Sequence, residues 1–319
     1  MKVFVAGAAG AIGAQLIPQL VDHGHDVVGM TRSPSKGRLV AALGARPVVA
    51  DALDREAVGR AVAEAAPEVV VHELTAIGGK LNMRRIDRLM APTNRLRVEG
   101  TDNLLAAAEA VGARRFVAQS YTGWPFARVG GPVKTESDPL DPDPPAALRE
   151  TLRAIRHVER AVTQIRWAEG IVLRYGNFYG PGTGISADPD APMTSAVRKR
   201  QFPLVGDGGG VWSFVHLDDA ASATVLALER GAPGVYNVVD DEPAPVREWL
   251  PVLAEALGAK PPRRFPRWLA RIAAGEAATV WMTEIRGASN LKSKRELGWE
   301  PQHRSWRTGF AEMVGGQAR

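Results

Sequence analysis

The chain has 319 residues, 45% of them hydrophobic and 24% charged, a globular balance with room for a sizeable core. It has no cysteine, which excludes a disulfide framework and a thiol nucleophile and suits a reducing cytoplasm. The net charge of +5 is thinly spread, and the basic clusters Arg198-Lys199-Arg200 and Arg263-Arg264 with Arg267 lack interleaved aromatics, so nucleic acid is not an expected partner.

Apolar runs all fall short of the ~20 residues of a membrane span. The opening Met1-Lys2-Val3-Phe4-Val5 reads as the start of a strand rather than a signal peptide. A cytoplasmic protein without membrane contact is expected. Strands are expected at 3–6, 25–30, 46–50, 68–71, 115–119 and 171–174, with helices at 11–23, 37–43, 55–66, 93–111 and 146–167 between them. Strands of continuous apolar character separated by helices indicate a parallel sheet covered on both faces. The expected fold is therefore α/β, a Rossmann-type doubly wound sheet. Residues 130–145 and 180–192, rich in Pro, Gly and Asp, read as loops, the first on the surface. Beyond them the rhythm weakens to a late strand at 235–239 and short helices at 246–257, 267–274 and 293–297. Residues 1–178 are expected to form the cofactor domain. Residues 179–319 are expected to form a smaller, mainly substrate-binding region, with a segment near 211–240 returning to the first.

The run Gly7-Ala8-Ala9-Gly10-Ala11-Ile12-Gly13 follows a strand and opens a helix. In that context its three glycines serve a tight turn, close approach to a pyrophosphate, and helix–strand packing. The N–H groups at the helix start would face the phosphates. A dinucleotide is thus the expected ligand, with Gly7, Ala9, Gly10, Ala11, Ile12 and Gly13 around it. The second strand ends Thr31-Arg32-Ser33, with Lys36 close behind. NAD-selective folds place an acid there. A cation suits the 2′-phosphate instead, so NADP(H) is favoured over NAD(H). Asp51 and Ala52 after the third strand, and Leu74 and Thr75 after the fourth, complete the expected cofactor set. Two readings stand for Asp51: an acceptor for the adenine amino group, or an N-cap, a role equally open to Asp54.

Taken together, the motifs resemble the extended short-chain dehydrogenase/reductases, also called the NAD-dependent epimerase/dehydratase family. The pieces in order are the glycine turn, Asn94 with Gly100-Thr101-Asp102-Asn103-Leu104-Leu105, and Arg115-Phe116-Val117-Ala118-Gln119-Ser120. Arg174-Tyr175-Gly176-Asn177-Phe178-Tyr179-Gly180-Pro181-Gly182, Phe214-Val215-His216-Leu217-Asp218-Asp219 and Arg295-Glu296-Leu297-Gly298-Trp299 follow. The resemblance implies that Tyr175 and Asn177 lie near the nicotinamide and substrate. It also implies a proton relay: a Ser or Thr after the fifth strand and a Tyr-x-x-x-Lys pair on the next helix, the lysine lowering the tyrosine pKa. Homodimers through the helices at 93–111 and 146–167 are a further implication.

The chain departs from that pattern. With Glu159 matched to the family's glutamate, Thr151 stands at the tyrosine position and Ile155 at the lysine position. Ser120, Tyr121 and Thr122 occupy the family's Ser/Thr region, and Tyr121 is the expected replacement proton donor or else a wall of the pocket. Arg153 and His157 could assist from the helix or simply face solvent. Nucleotide-sugar members carry an Arg-Asp where this chain has Trp212-Ser213. The loss of a bidentate phosphate ligand argues for a smaller, less polar carbonyl or alcohol substrate. Asn177, Tyr121 and Trp212 are its expected contacts, although Trp212 also fits a purely packing role. The histidines lack metal-ligand spacing, and His216 reads as structural. The expected function is an NADP(H)-dependent oxidoreductase, with an epimerase or dehydratase that retains its cofactor, or a non-catalytic NADP-binding regulator, as alternatives.

Overall fold

The computed structural model describes residues 1–77 and 83–315. Among them seven parallel strands form the central sheet: β1 (Lys2–Ala6), β2 (Asp26–Thr31), β3 (Arg46–Val49), β4 (Val69–His72), β5 (Arg115–Tyr121), β6 (Glu169–Tyr175) and β7 (Gly234–Val238). Their spatial order is β7-β6-β5-β4-β1-β2-β3. The chain builds outward from β1 in one direction and then crosses back to β4. The carboxyl ends of β1 and β4 therefore flank the switch point where ligands bind in such sheets. The doubly wound Rossmann expectation holds.

Side chains alternate across the sheet, as the period of a strand requires. Val3, Val5, Val71, Val117 and Leu173 pack on one face with Leu16 and Ile17 of α1 (Ala11–Asp22) and with the helix Leu217–Glu229. Phe4, Val70, Phe116 and Val172 pack on the other with α3 (Arg55–Ala65), α5 (Thr101–Ala110) and α6 (Arg149–Thr163). A third cluster, rich in aromatics, joins Leu152 and Ile155 of α6 to Trp212, Phe214, Trp249, Trp306 and Phe310. Strand β7 closes one edge of the sheet, and its outward backbone groups are covered. Asn237 N–H donates to Glu136 (2.7 Å), Lys292 Nζ donates to the Val235 carbonyl (2.7 Å) and Ser293 Oγ to that of Asn237 (2.6 Å). Capped this way, the edge offers little template for a foreign strand.

Several expectations shift. The helix expected at 93–111 begins as α4 (Ile86–Arg95), crosses Pro92, and passes through one π turn at Leu96–Gly100 before α5. A helix start past Pro92 follows from its missing N–H, but packing against α6 carries the chain across it. The helix expected to reach 167 stops at Thr163, with Gln164 as C-cap. Residues 130–145 are not simply a surface loop. Val133–Lys134 pairs with Gly287–Ala288, and both Lys134 and Asp141 are buried. The helix Leu217–Glu229 escapes periodicity because nine of its residues are buried around much of its circumference. Among the described residues, no helix is long and apolar enough to cross a membrane.

One buried ion pair fixes α6 against the sheet. Arg174, on β6, donates through Nε and Nη2 to Glu159 on α6 at 2.7 and 2.6 Å. Ser120, opposite Arg174 in the β5–β6 register, donates to the same carboxylate at 2.8 Å. Both charged side chains are nearly inaccessible, so removing one strands the other in a poor medium for charge. Glu159→Ala is expected to destabilise the fold by about 3–5 kcal/mol. Urea denaturation followed by circular dichroism measures it, and a loss below about 1 kcal/mol would contradict this role.

Candidate active site

The glycine turn sits at the switch point, and its shape depends on the absence of side chains. Gly7 has φ +97°, and a Cβ there would lie 2.6 Å from the Glu73 carbonyl oxygen. A Cβ on Gly13 would lie 2.5 Å from the Ala8 carbonyl oxygen, so the helix reaches the turn only because that position is bare. Gly10 is the N-cap of α1 and provides no side-chain cap. The first N–H groups of α1, from Ala11, Ile12 and Gly13, therefore have no intrahelical acceptor and, with the positive end of the helix dipole, suit an anion. Ala9 lies in the same turn.

Thr31 is buried at the end of β2, whereas Arg32 and Lys36 are exposed and form no ion pair among the described residues. Asp51 makes an Asx turn, accepting from the Leu53 N–H at 3.0 Å, and it is Asp54 that caps α3. The N-cap alternative thus belongs to Asp54, which leaves one oxygen of Asp51 open. Ala52 is fully buried beneath this turn, and Leu74 and Thr75 follow β4 at the rim.

Past the ends of β5 and β6 lies the polar part of the site. The Tyr121 hydroxyl donates to Asn177 Oδ1 at 2.6 Å. Asn177 Nδ2 donates to the Ser213 carbonyl at 3.1 Å, which fixes the amide with its oxygen toward the phenol. Burial pushes the Tyr121 phenol up, while Arg97 and the bond to Asn177 pull it down. Thr122 Oγ1 is buried without a hydrogen-bond partner among the described residues. Ser120 points to the opposite face, into the Glu159–Arg174 pair. Thr151 Oγ1 is likewise occupied, accepting from Asn94 Nδ2 at 3.1 Å. Of Ser120, Tyr121, Thr122 and Thr151, Tyr121 alone is bonded to Asn177, Thr122 is buried, and Ser120 and Thr151 are held in structural bonds. Arg153 is exposed and paired with Glu150, and His157 bonds Asp102 at 2.7 Å.

Two expected contacts turn inward. The Tyr175 ring is 1% exposed, and its hydroxyl bridges Glu73 Oε1 (3.1 Å) and Thr224 Oγ1 (2.7 Å) inside the core. Its side chain cannot reach a ligand at the rim. Trp212 is 2% exposed among Trp249, Phe214 and Trp281, with Nε1 donating to the Trp281 carbonyl. The packing role, not substrate contact, describes that side chain. His216 and His303 come together with Asp218 in a way the spacing does not announce. Their ring centroids are 3.9 Å apart with the planes tilted by 40°, and one ligand atom from each of the three residues lies within 4.8 Å of the others, a donor set compatible with a metal ion. His216 Nδ1 accepts the Asp218 N–H and caps the helix that follows.

Three site groups escape sequence reasoning. Glu73, an acid ending a buried strand, is 5% exposed with Oε2 unpartnered, and burial raises its pKa to about 8. His72 is buried and held neutral, its pKa lowered to about 4 by burial and by Arg97. Since its Nδ1 accepts from the Leu74 N–H, its Nε2 carries the proton toward Thr101 Oγ1 at 2.9 Å. Arg97, on the π turn, is 8% exposed, and burial lowers its pKa to about 10. An ionisable residue placed inside an apolar run was the available signal for Glu73.

The family model for the NAD dependent epimerase/dehydratase family matches residues 3–238. The chain belongs to this family. It is 47% identical to a 3-diazoavenalumate denitrifying reductase from a Streptomyces species, over 97% of this chain and 99% of that one. It is 30% identical to a 4-hydroxy-2-methyl-3-oxo-4-farnesyl-3,4-dihydroquinoline-1-oxide ketoreductase of Stigmatella aurantiaca, over 94% and 92%. A solved UDP-glucose 4-epimerase of Thermus thermophilus, in complex with NAD, superposes with a TM-score of 0.74 at 27% identity, covering 99% of this chain and 98% of the other. The protein is thus an NAD(P)-dependent enzyme of the oxidoreductase/epimerase kind within the extended short-chain dehydrogenase/reductases. The bare glycine cradle and the open N–H groups of α1 fit such a dinucleotide. The family member nonetheless lacks the phenol–lysine pair on α6, where Thr151 and Ile155 are both buried.

Glu73 makes stability depend on pH. Its carboxyl stays protonated in the fold up to about pH 8, while in the unfolded chain it ionises near 4.5. The unfolded state therefore loses its proton first as pH rises, and stability falls between those values. Glu73→Gln is expected to flatten this slope, with a gain over the parent on the order of 2–4 kcal/mol larger at pH 8 than at pH 5. Parallel pH profiles in chemical denaturation would contradict a buried neutral acid.

Proposed function

We propose that the protein is an NADP(H)-dependent reductase that transfers a hydride and a proton to a small acceptor bearing no nucleotide. The observation that carries this reading is the Tyr121 phenol, held on Asn177 at the carboxyl edge of the same sheet whose switch point holds the glycine cradle. A reduced dinucleotide bound in the cradle supplies the hydride. The N–H groups of Ala11, Ile12 and Gly13 hold its pyrophosphate. Arg32, just past β2, and Lys36, on α2 (Pro34–Ala42), are exposed and without an ion pair among the described residues, which favours a 2′-phosphate over a bare ribose. Asn177 orients the phenol, and Tyr121 gives its proton to the negative charge that develops on the acceptor. Trp212 stands where nucleotide-sugar members carry a diphosphate-binding arginine, which supports an acceptor without a nucleotide.

Two acceptor chemistries need the same pair of particles. A ketone takes the hydride at carbon and the proton at oxygen and becomes an alcohol. The Streptomyces relative, named for the reductive loss of nitrogen from a diazo compound, points to the second. A diazo carbon beside a carbonyl takes the hydride, the carbonyl oxygen takes the proton, and dinitrogen leaves. Identity across nearly the whole chain favours testing this class first.

Purified protein is expected to consume NADPH in the presence of 3-diazoavenalumate or a 2-alkyl-3-oxo acid. Interconversion of UDP-glucose and UDP-galactose without net NADPH loss would overturn the reading. Arg32→Ala is expected to weaken NADPH binding about ten-fold by fluorescence titration while leaving NADH unmoved. Tyr121→Phe is expected to lower kcat about 100-fold or more at unchanged NADPH affinity. An unaltered kcat would remove Tyr121 as the proton donor.

A further inference from the structure

A buried cation without a counter-ion is costly, and a fold tolerates one where something else offsets it. Arg97 is such a group. Its side chain is almost wholly buried, Nη1 has no hydrogen-bond partner, and no ion pair to it exists among the described residues. It projects from the single π turn of the structure's long helix, a feature that recurs at functional sites.

Its position along α6 is set by two hydrogen bonds. Asn94 Nδ2 bonds Thr151 Oγ1 at 3.1 Å, and His157 bonds Asp102 at 2.7 Å. The two helical segments therefore run side by side in the same direction. Arg97, lying between Asn94 and Asp102, comes level with the turn of α6 that carries Ile155. The Tyr121 ring packs against the apolar cluster that holds Leu152 and Ile155 of α6, which brings it to the same turn, and the charge of Arg97 acts on two anionic or potentially anionic groups, Glu159 and Tyr121. Both oxygens of Glu159 are already taken by Arg174 and by Ser120. The Tyr121 phenol remains, hydrogen-bonded to a neutral amide oxygen.

We propose that Arg97 is the positioning residue for proton transfer: across the α6 interface it lends Tyr121 the positive charge that Ile155 cannot supply. The assignment rests on the reading of Tyr121 as donor. In that step the O–H bond of Tyr121 breaks, its proton passes to the acceptor oxygen, and the electron pair stays on the phenolate. Arg97 keeps its proton throughout and neutralises the phenolate until solvent reprotonates it. The Coulomb attraction acts in a poorly hydrated setting, where it is screened little. Arginine suits the task because it does not lose its own proton at working pH.

The test places a fluorinated tyrosine, more acidic than tyrosine, at position 121 and follows its ionisation by fluorine NMR in NADPH-saturated protein. Arg97→Gln is expected to raise the midpoint by about one to two pH units, and Arg97→Lys to restore most of the difference. Arg97→Met is expected to be at least as stable as the parent, because no ion pair is broken. Coincident midpoints in the parent, Gln and Lys proteins would overturn the proposal. So would an Arg97→Gln enzyme whose kcat–pH profile is unchanged and whose KM alone rises for acidic acceptors, since Arg97 would then be a substrate anchor. Full turnover by Tyr121→Phe, together with the shifted midpoint, would retire the donor reading and leave the charge pairing standing.

Discussion

The pair formed by Glu159 and Arg174 is the constraint on which the site depends. It joins α6 to β6 directly and to β5 through Ser120, three elements whose other side chains make the site wall. With α6 fixed, Asn94 finds Thr151 and the π turn is held against the helix. With β5 and β6 in register, Tyr121 and Tyr175 stand opposite each other. One phenol bonds Asn177 and the other bridges Glu73 and Thr224 in the core. A charged pair here stabilises weakly compared with apolar packing of the same volume. What it supplies is registry, since a bidentate guanidinium–carboxylate bond tolerates little sliding.

Around this frame the ionisable groups fall into an unusual pattern. Glu73 is a neutral acid, His72 a neutral base and Arg97 a cation without an ion pair among the described residues. Burial rather than pairing sets the first two. At the Tyr121 phenol the positive charge of Arg97 works against the larger effect of burial. A hydride acceptor that develops negative charge would find little competing anionic character there, because Glu159 is already neutralised by Arg174.

The sheet and the cradle were legible in the sequence because their physics is local. Apolar runs such as Val69-Val70-Val71 and the spacing of Gly7, Gly10 and Gly13 carry their meaning within a few residues. The wall of the site was legible in part. Tyr121 and Asn177 could be named from the motifs, but Ser120 is taken up by Glu159, an acid on a helix far along the chain. Tyr175 and Trp212 turned inward for reasons that lie far along the chain, in Thr224 and Trp281. Arg97 was hidden most thoroughly. Its environment is created by a helix more than fifty residues later, and a π turn has no periodic signature of its own.

The closure of the sheet by β7 has a consequence for how the chain is made. Strand β6 is complete at Tyr175, but its neighbour β7 ends at Val238 and the caps on β7 come from Lys292 and Ser293. At ~5–20 residues per second, roughly 3–13 seconds separate the emergence of β6 from that of its partner. Through that interval the growing chain exposes an apolar strand with an open edge, Ile171-Val172-Leu173, whose hydrogen bonds await a segment still inside the ribosome. The N-terminal half holds the ligand cradle, yet the C-terminal residues decide when the sheet stops being adhesive.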